Sequence, residues 1–279
     1  MIITKLIGGL GNQMFQYAAG RQIAVTNNTQ LKLDITGYDH QVGITLREYR
    51  LGVFNIQAPP AGKSELWRYR LTMAILRHHK IQQKDIHNIR QFLALPDHSY
   101  LEGYWGSEKY FKDIEAIIRQ DFTFKSRPDE ENKKLIEKIK NSKSISIHVR
   151  RGDYVLDKKT NQFHGVCSLK YYQQAVKLIT QKVSQPHFFI FSDDPQWAEK
   201  HLKLQQPMQV VKHNYKKDHH EDMRLMTYCR HHIIANSSFS WWGAWLNKNK
   251  NKIVITPKKW FREPSINTKD LIPQSWIKI

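Results

Sequence analysis

The second half of the chain alternates short apolar runs with helix-like patterns, and this alternation limits the possible fold more than any other feature. The apolar runs lie at residues 145–149, 188–191, 232–235 and 252–256. Each is the length of one strand, and helical periodicity fills the stretches between them. Strands that alternate with helices favour a parallel sheet with helices on both faces. We therefore predict an α/β, doubly wound domain for this half.

The chain begins with a second unit of the same kind. Residues 2–7 read as a strand, a glycine-rich loop follows at 8–13, and then come a helix at 14–25 and a strand at 31–34. Such a loop brings bare backbone N–H groups and a helix N-terminus to the end of a sheet, which favours an anion. Asp34 stands near the position of the ribose-binding acid of dinucleotide sites. The third glycine of that fingerprint is missing, however, which argues against a nicotinamide site.

A polar stretch at residues 126–141 separates the two patterned halves and is our candidate for an interdomain connection. We accordingly predict an N-terminal domain of residues 1–130, which contains the glycine-rich loop. The C-terminal domain is predicted over residues 131–279.

Three polar motifs follow predicted strands of the second half. They are the arginine motif (Arg150-Arg151-Gly152-Asp153), the aspartate motif (Ser192-Asp193-Asp194) and the serine motif (Asn236-Ser237-Ser238-Phe239-Ser240). In open α/β sheets, ligands bind at the carboxyl ends of the strands, so the three motifs are expected to share one site. Guanidinium groups, and hydroxyls at a helix N-terminus, suit phosphates.

Some residues of these motifs admit two interpretations. Gly152 is expected to let the backbone turn sharply, and Asp153 to orient one arginine. Asp194 either accepts two N–H bonds from a guanine edge or only caps the helix that follows. Trp241 and Trp242 are expected to be core anchors behind the serine motif, with Gly243 allowing close packing.

The charge balance points to partners that carry phosphate. Lys and Arg number 44 against 25 Asp and Glu, a formal charge of +19. Nucleotides, nucleic acid and an anionic membrane surface all remain open on this ground. The helix expected after Ser64 has a basic face, which is either solvated or in peripheral contact with the inner membrane.

The cellular setting is inferred from what the sequence lacks. No apolar run approaches the roughly 20 residues of a membrane span, and no signal peptide is recognised. Cys167 and Cys229 read as reduced thiols. We therefore expect a cytoplasmic protein.

Taken together, the motifs resemble those of the bacterial α-1,2-fucosyltransferases. The resemblance rests on Gly8-Gly9-Leu10-Gly11-Asn12-Gln13, His148-Val149-Arg150-Arg151-Gly152-Asp153, Phe191-Ser192-Asp193-Asp194 and Ser237-Ser238-Phe239-Ser240-Trp241-Trp242-Gly243-Ala244-Trp245. It implies a GT-B fold, with two Rossmann-like domains facing a cleft, the first on the acceptor side and the second binding GDP-fucose. It also implies inverting transfer of L-fucose from GDP-β-L-fucose to a galactose 2-hydroxyl of an oligosaccharide or glycolipid, in lipopolysaccharide or O-antigen synthesis.

The same resemblance assigns roles to individual residues. Arg150 would hold the donor diphosphate and be the main catalytic residue, with Asp153 as a second candidate. The donor-binding set would be Asn12, His148, Arg150, Arg151, Asp194, Ser237 and Ser238. Within it, His148 and Asp194 lie near guanosine, Ser237 and Ser238 near phosphate, and Asn12 reaches the donor from the N-terminal domain. Asp222 is a further polar candidate, or a plain helix N-terminal residue.

We expect no metal and no cofactor. The Asp–any–Asp metal hook of other nucleotide-sugar enzymes is absent from the sequence, so arginine is expected to replace Mg²⁺. The histidine doublets at 78–79, 219–220 and 231–232 do not have the spacing of zinc ligands.

Two alternatives stay open at this point. One is an α-1,6- or Nod-factor-type fucosyltransferase, which would share the arginine motif. The other is a basic module that binds nucleic acid or membranes without catalysis. Nucleic acid is the less favoured partner, because no nucleic-acid motif is present and the basic residues are interspersed.

Overall fold

The chain was analysed as a computed structural model that describes residues 1–39, 46–73, 79–214 and 218–279. It divides into two compact units, Met1–Lys125 and Ser126–Ile279. The division falls close to the predicted domain boundary after residue 130. The roles assigned to the two domains stay predictions.

The first unit contains a parallel four-stranded sheet. Its strands are β1 (Ile2–Lys5), β2 (Leu31–Asp34), β3 (His79–Gln82) and β4 (Ser99–Glu102), and its α-helices are α1 (Leu10–Thr26), α2 (Lys63–Met73), α3 (Ile89–Leu93) and α4 (Glu115–Asp121). The strand order is β2-β1-β4-β3. Gly20 lets α1 lie directly on β1, since a Cβ there would stand only 2.0 Å from Thr4 Oγ1.

The glycine-rich segment is shorter as a loop than the sequence suggests. Helix α1 begins at Leu10, so Asn12 and Gln13 lie in its first turn. Four residues, Leu6 to Gly9, connect β1 to the helix. Gly8 has φ +76°, the left-handed region that favours glycine. The prediction of a loop through residue 13 was wrong because Leu10 and Gly11 already have helical geometry.

Asp34 has a structural role. Its carboxylate is fully buried and accepts hydrogen bonds from the backbone and hydroxyl of Thr36 and from the hydroxyl of Tyr100. A ribose-binding acid must reach a ligand, and this carboxylate is enclosed. The arrangement therefore argues against a nicotinamide site, as the missing glycine does.

The second unit contains a parallel six-stranded sheet. Its strands are β5 (Lys143–Val149), β6 (Pro186–Ser192), β7 (Met208–Val210), β8 (His231–Ile233), β9 (Val254–Thr256) and β10 (Ile277–Lys278). Its helices are α5 (Glu130–Lys140), α6 (Gly152–Leu156), α7 (Lys158–His164), α8 (Leu169–Thr180), α9 (Pro195–His201), α10 (His219–Tyr228) and α11 (Ser238–Leu246). The order is β10-β9-β8-β5-β6-β7, which puts β5 between β6 and β8.

Both faces of this sheet are covered, which confirms the doubly wound prediction. Phe188 and Ile190 pack with helix α8 on one face, while Phe189 and Phe191 pack with α5 and α10 on the other. Alternate residues of one strand thus enter separate cores. This explains why the apolar run of β6 is continuous.

The polar residues that alternate along β5 are buried as well. Ser144, Ser146 and His148 are at most 5% exposed. The Ser146 hydroxyl is 2.8 Å from Nδ1 of His232 in the neighbouring strand β8. A buried polar group needs such a partner, and here the partner comes from a strand distant in sequence.

The tryptophans of α11 are core anchors, as predicted. Trp241 and Trp242 are fully buried. A Cβ on Gly243 would lie 3.0 Å from the sulfur of Met226, so the glycine allows α11 to pack closely against α10. This packing fixes the position of the helix that carries the serine motif.

Helix α2 exposes Trp67, Arg68 and Leu71. The predicted basic face extends through His79 and Lys80, but these two residues belong to strand β3, so that part of the helix prediction was wrong. Residues 74–78 lie outside the described part of the chain, and membrane contact stays a prediction. Within the described ranges no helix has the length and apolar character needed to cross a membrane. Cys167 and Cys229 are free thiols.

Candidate active site

The three polar motifs meet at the carboxyl edge of the second sheet. Val149, the last residue of β5, pairs with Ser192, the last residue of β6. The residues that follow these strands, Arg150 and Asp193, therefore stand side by side. On the other side of β5, Ile147 pairs with Ile233 of β8, and the serine motif follows that strand. The sequence therefore predicted correctly that the motifs share one edge.

Arg150 is held between two carboxylates. One of its Nη2 N–H groups donates to Asp153 Oδ1 at 2.5 Å, and Nη1 forms an ion pair with Asp193 Oδ2 at 2.9 Å. The guanidinium also lies 5.3 Å from the centre of the Tyr154 ring. The Asp153 contact is a hydrogen bond, whereas the Asp193 contact is an ion pair without hydrogen-bond alignment. The two contacts therefore engage at most two of the five N–H groups, and three remain for a ligand. Burial lowers the pKa of Arg150, but Asp193 and Asp153 offset this and hold it above its usual value.

Asp193 connects the arginine motif to the aspartate motif. Besides pairing with Arg150, it accepts the backbone N–H of Arg151 at 2.8 Å. Of this pair, the sequence predicts only Asp194 as a site residue, and Asp193 was not among the predicted residues. The signal was present, because Asp193 directly follows the predicted strand. The β5–β6 register is what selects it as the partner of Arg150.

Arg151 faces Asp194 and an aromatic ring. Its Nε lies 3.4 Å from Asp194 Oδ2, and its guanidinium lies 3.8 Å from the centre of the Trp197 ring. Asp194 also caps helix α9, accepting the Trp197 N–H at 3.1 Å. The helix-capping interpretation is therefore confirmed. The second carboxylate oxygen of Asp194 pairs with Arg151. A contact of Asp194 with guanine stays a prediction.

Gly152 is required for a reason other than the one predicted. Its backbone does not adopt the left-handed conformation. A Cβ at this position would stand 2.5 Å from Asp193 Oδ2, the oxygen paired with Arg150. Glycine is therefore needed here because it leaves room for the Asp193 carboxylate. It is not needed for the sharp backbone turn that the sequence predicts.

His148 stands at the same edge, inside the protein. Its ring lies 5.6 Å from that of Phe239, and Nδ1 is buried without a hydrogen-bond partner among the described residues. Burial, aided by Arg150, lowers the pKa of His148 to about 3. The ring is therefore neutral near pH 7 and can donate or accept one hydrogen bond, but it adds no charge to the site.

The serine motif forms the start of α11. Ser237 is the residue before the helix, and its side chain makes no capping hydrogen bond; Ser238 is the first helical residue. Backbone N–H groups at this end lack helical partners, which suits an anion. Asn236 anchors the motif, because its amide donates to the carbonyls of His164, Gly165 and Trp260.

Asp222 lies in the first turn of α10, the helix that packs against α11. The ring of His219, in the same turn, lies 6.0 Å from that of Phe239 in a tilted arrangement, and Phe239 lies next to His148. Asn214 donates to Asp222 Oδ1 at 3.0 Å. Burial, only partly offset by this bond, raises the pKa of Asp222 to about 7. The carboxyl can therefore exchange a proton near neutral pH, which a plain helix N-terminal residue does not need to do.

Asn12 lies in the first unit, in the first turn of α1, and its contact with a donor stays a prediction. In residues 1–39, 46–73, 79–214 and 218–279, no three His, Cys, Asp or Glu side chains are grouped as metal ligands. His78 of the first histidine doublet lies outside these ranges. Metal-independent chemistry remains a prediction.

Sequence comparisons place the chain among glycosyltransferases. Residues 1–279 match the family described as glycosyl transferase family 11. The chain is 33% identical to an α-1,2-colitosyltransferase of Escherichia coli, over 100% of this chain and 99% of that protein. It is 32% identical to the O-antigen biosynthesis glycosyltransferase WbnK of Escherichia coli, over 98% and 99%.

Solved structures share the fold at low identity. The fucosyltransferase NodZ from Bradyrhizobium superposes with a TM-score of 0.51 and 14% identity, over 87% of this chain and 91% of that one. Arabidopsis thaliana FUT1 in complex with GDP gives 0.52 and 11%, over 91% and 69%. They confirm an α/β fold of the GT-B type. With its two parallel sheets and a match along its whole length, the chain belongs to glycosyl transferase family 11 and is a glycosyltransferase.

Proposed function

We propose that the protein transfers L-fucose from GDP-β-L-fucose to the 2-hydroxyl of a galactose, with inversion, during O-antigen synthesis. The observation that carries this proposal is Arg150, a fixed cation with three free N–H groups at the edge where three motifs meet. An α-1,2 linkage is supported by the α-1,2-colitosyltransferase relative and by 25% identity to a galactoside α-(1,2)-fucosyltransferase 2 of Bos taurus.

The reaction breaks the bond between the fucose anomeric carbon and the β-phosphate oxygen of GDP. The acceptor oxygen attacks from the opposite face of the ring, and its proton must pass to a base. Negative charge develops on the departing diphosphate, and Arg150 would neutralise it. The hydroxyls of Ser237 and Ser238 and the N-terminus of α11 would add donors to the same phosphates.

The remaining donor-binding residues are assigned by the same reasoning. We propose that Arg150 binds the diphosphate and that His148, Arg151 and Asp194 lie near guanosine. Arg151 and Asp194 pair with each other next to the pair of Arg150 and Asp193. Asn12 is proposed to contact the donor from the first unit. We expect no nucleic-acid partner, because the chain belongs to a glycosyltransferase family and is therefore not the non-catalytic binding module considered above.

Asp153 is better suited to orient Arg150 than to act as the base. Its carboxylate already accepts a hydrogen bond from the Arg150 guanidinium at 2.5 Å, so Oδ1 is occupied. Asp222, whose pKa is about 7, is the alternative acceptor for the hydroxyl proton.

The deciding experiment is transfer from GDP-fucose to lactose, with the linkage read by NMR and GDP release followed in parallel. A 2′-linked α-fucoside supports the proposal. An α-1,6 linkage on another acceptor would favour the Nod-factor-type alternative. No GDP release from folded protein would overturn the assignment of the donor.

A colitosyl donor is the second candidate, because the colitosyltransferase relative aligns over the whole chain. Colitose is 3-deoxy-L-fucose, so the two donors differ by one hydroxyl. A site that hydrogen-bonds this hydroxyl rejects the deoxy sugar strongly, whereas a site that does not will accept both. Competition between GDP-fucose and GDP-colitose for one acceptor separates the two cases.

A further inference from the structure

A cavity of about 340 Å³ lies at the amino edge of the second sheet. Its polar lining comes from Lys143, Lys182, Ser184, Arg230, His231 and Asn251. Lys143 and His231 are the first residues of β5 and β8, whereas the arginine motif follows the last residue of β5. At about 3.3 Å per residue, the seven residues of β5 separate this cavity from the candidate active site by roughly 20 Å.

The cavity carries uncompensated positive charge. Its lining includes no carboxylate. Lys143 donates to the neutral hydroxyl of Ser184 at 2.6 Å. Across the described ranges, Lys143, Lys182 and Arg230 form no ion pair, whereas Lys133, Lys140 and Lys212 of the same unit each pair with a glutamate. The three side chains are exposed, so solvent weakens their mutual repulsion, but together they give the pocket a positive potential that favours an anion.

His231 adds a neutral donor to this charge. Its Nδ1 accepts the backbone N–H of Ile253 at 3.0 Å, so the ring proton must sit on Nε2. Burial, together with the nearby Arg230, lowers the pKa of His231, which keeps the ring neutral at pH 7. The Nε2–H, the Ser184 hydroxyl and the Asn251 amide can therefore donate to an oxyanion without adding charge.

We propose that this cavity is a second anion site, which binds a phosphate group. Three cations and neutral donors suit the oxygens of a phosphate ester or a diphosphate. The volume leaves room for more than a single phosphate ion. The ligand has two sources with the same chemistry, a phospholipid headgroup at a membrane surface and a soluble phosphate ester. The proposal does not depend on the sugar that the enzyme transfers.

The test compares two variants of the full-length protein. One is the triple variant Lys143→Ala, Lys182→Ala, Arg230→Ala. The matched control, Lys170→Ala, Lys177→Ala, Lys200→Ala, removes the same charge from exposed positions of the same unit. The first probe is pyrophosphate, whose binding is measured by calorimetry with GDP in excess to occupy the candidate active site. The second probe is vesicles of phosphatidylcholine, with and without phosphatidylglycerol.

Each cation is expected to contribute about fivefold in affinity, so the triple variant should bind about 100-fold more weakly to whichever probe the wild type binds. The affinity of the control should stay close to that of the wild type. His231→Phe keeps the charge but removes a donor, and should cost about tenfold. Donor turnover should be unchanged in all three variants, and melting curves should be unchanged in the two triple variants. His231→Phe also removes the acceptor of the Ile253 N–H, so its melting curve is measured to confirm that it is folded under the binding conditions. Binding of pyrophosphate identifies a soluble ligand, and binding of anionic vesicles alone identifies a lipid headgroup. If neither probe binds, or if both triple variants weaken binding equally, the proposal is overturned.

Discussion

Replacing Arg150 by lysine separates the effect of charge from that of guanidinium geometry. The arginine reaches Asp153 at 2.5 Å and Asp193 at 2.9 Å, and three of its five N–H groups remain for the diphosphate. A lysine ammonium has three N–H groups in all, so the same two contacts leave one. Arg150→Lys therefore removes two charge-assisted hydrogen bonds to the ligand while the positive charge is retained.

At about 1.5–3 kcal/mol for each bond, the loss is about 3–6 kcal/mol, or roughly 10²–10⁴ in kcat/KM for the GDP-sugar. The assay is GDP release at varied donor concentration, with GDP affinity measured by calorimetry. Arg262→Lys is the matched control, since Arg262 is an exposed arginine of the same unit that donates to Asn161. Unchanged melting curves exclude a folding defect. A folded Arg150→Lys enzyme within tenfold of the wild type would refute the reasoning.

Four further outcomes are expected. Gly152→Ala should push Asp193 away from Arg150, weaken GDP binding in calorimetry and cost about 1–3 kcal/mol of stability; wild-type affinity would contradict this. The pKa of His148 is about 3 in the folded protein and about 6.5 in the unfolded protein, so the stability that depends on its neutral ring is fully present above pH 6.5 and is lost as the pH falls. Between pH 7 and 5, the free energy of unfolding in urea melts should fall by about 2 kcal/mol more in the wild type than in His148→Gln. Arg224→Met leaves the buried Glu221 without its two guanidinium contacts at 2.7 and 2.9 Å and should cost about 3–5 kcal/mol in urea unfolding, partly recovered by adding Glu221→Gln; a loss under about 1 kcal/mol would count against the pair. If Arg150 neutralises the diphosphate without a metal, sugar transfer should persist in EDTA. Activity that is lost in EDTA and restored by Mg²⁺ or Mn²⁺ would show that Arg150 does not neutralise the diphosphate alone.

Local pattern was sufficient for the strands and for the motifs that follow them. The apolar run of β6 is such a short-range feature, and the structure has the strand where the sequence predicts it. The glycine-rich segment shows where such reasoning stops. Gly11 and Asn12 have low helix propensity, yet α1 includes them because its buried residues hold the helix against β1.

The sequence by itself determined that strands and helices alternate, that polar motifs follow three of the strands, and that those motifs suit a phosphate. These properties depend on neighbours within a few residues, and periodicity records them directly. Which side chains meet was decided by the tertiary structure. The order β8-β5-β6 and the pairing of Val149 with Ser192 bring Asp193 to Arg150 and leave no room for a Cβ at Gly152. The same order gathers Lys143, Lys182 and Arg230 at the opposite edge. Contacts of this kind join residues about 40 to 90 positions apart, and only the strand order and register, which are set by packing on both faces of the sheet, can select them.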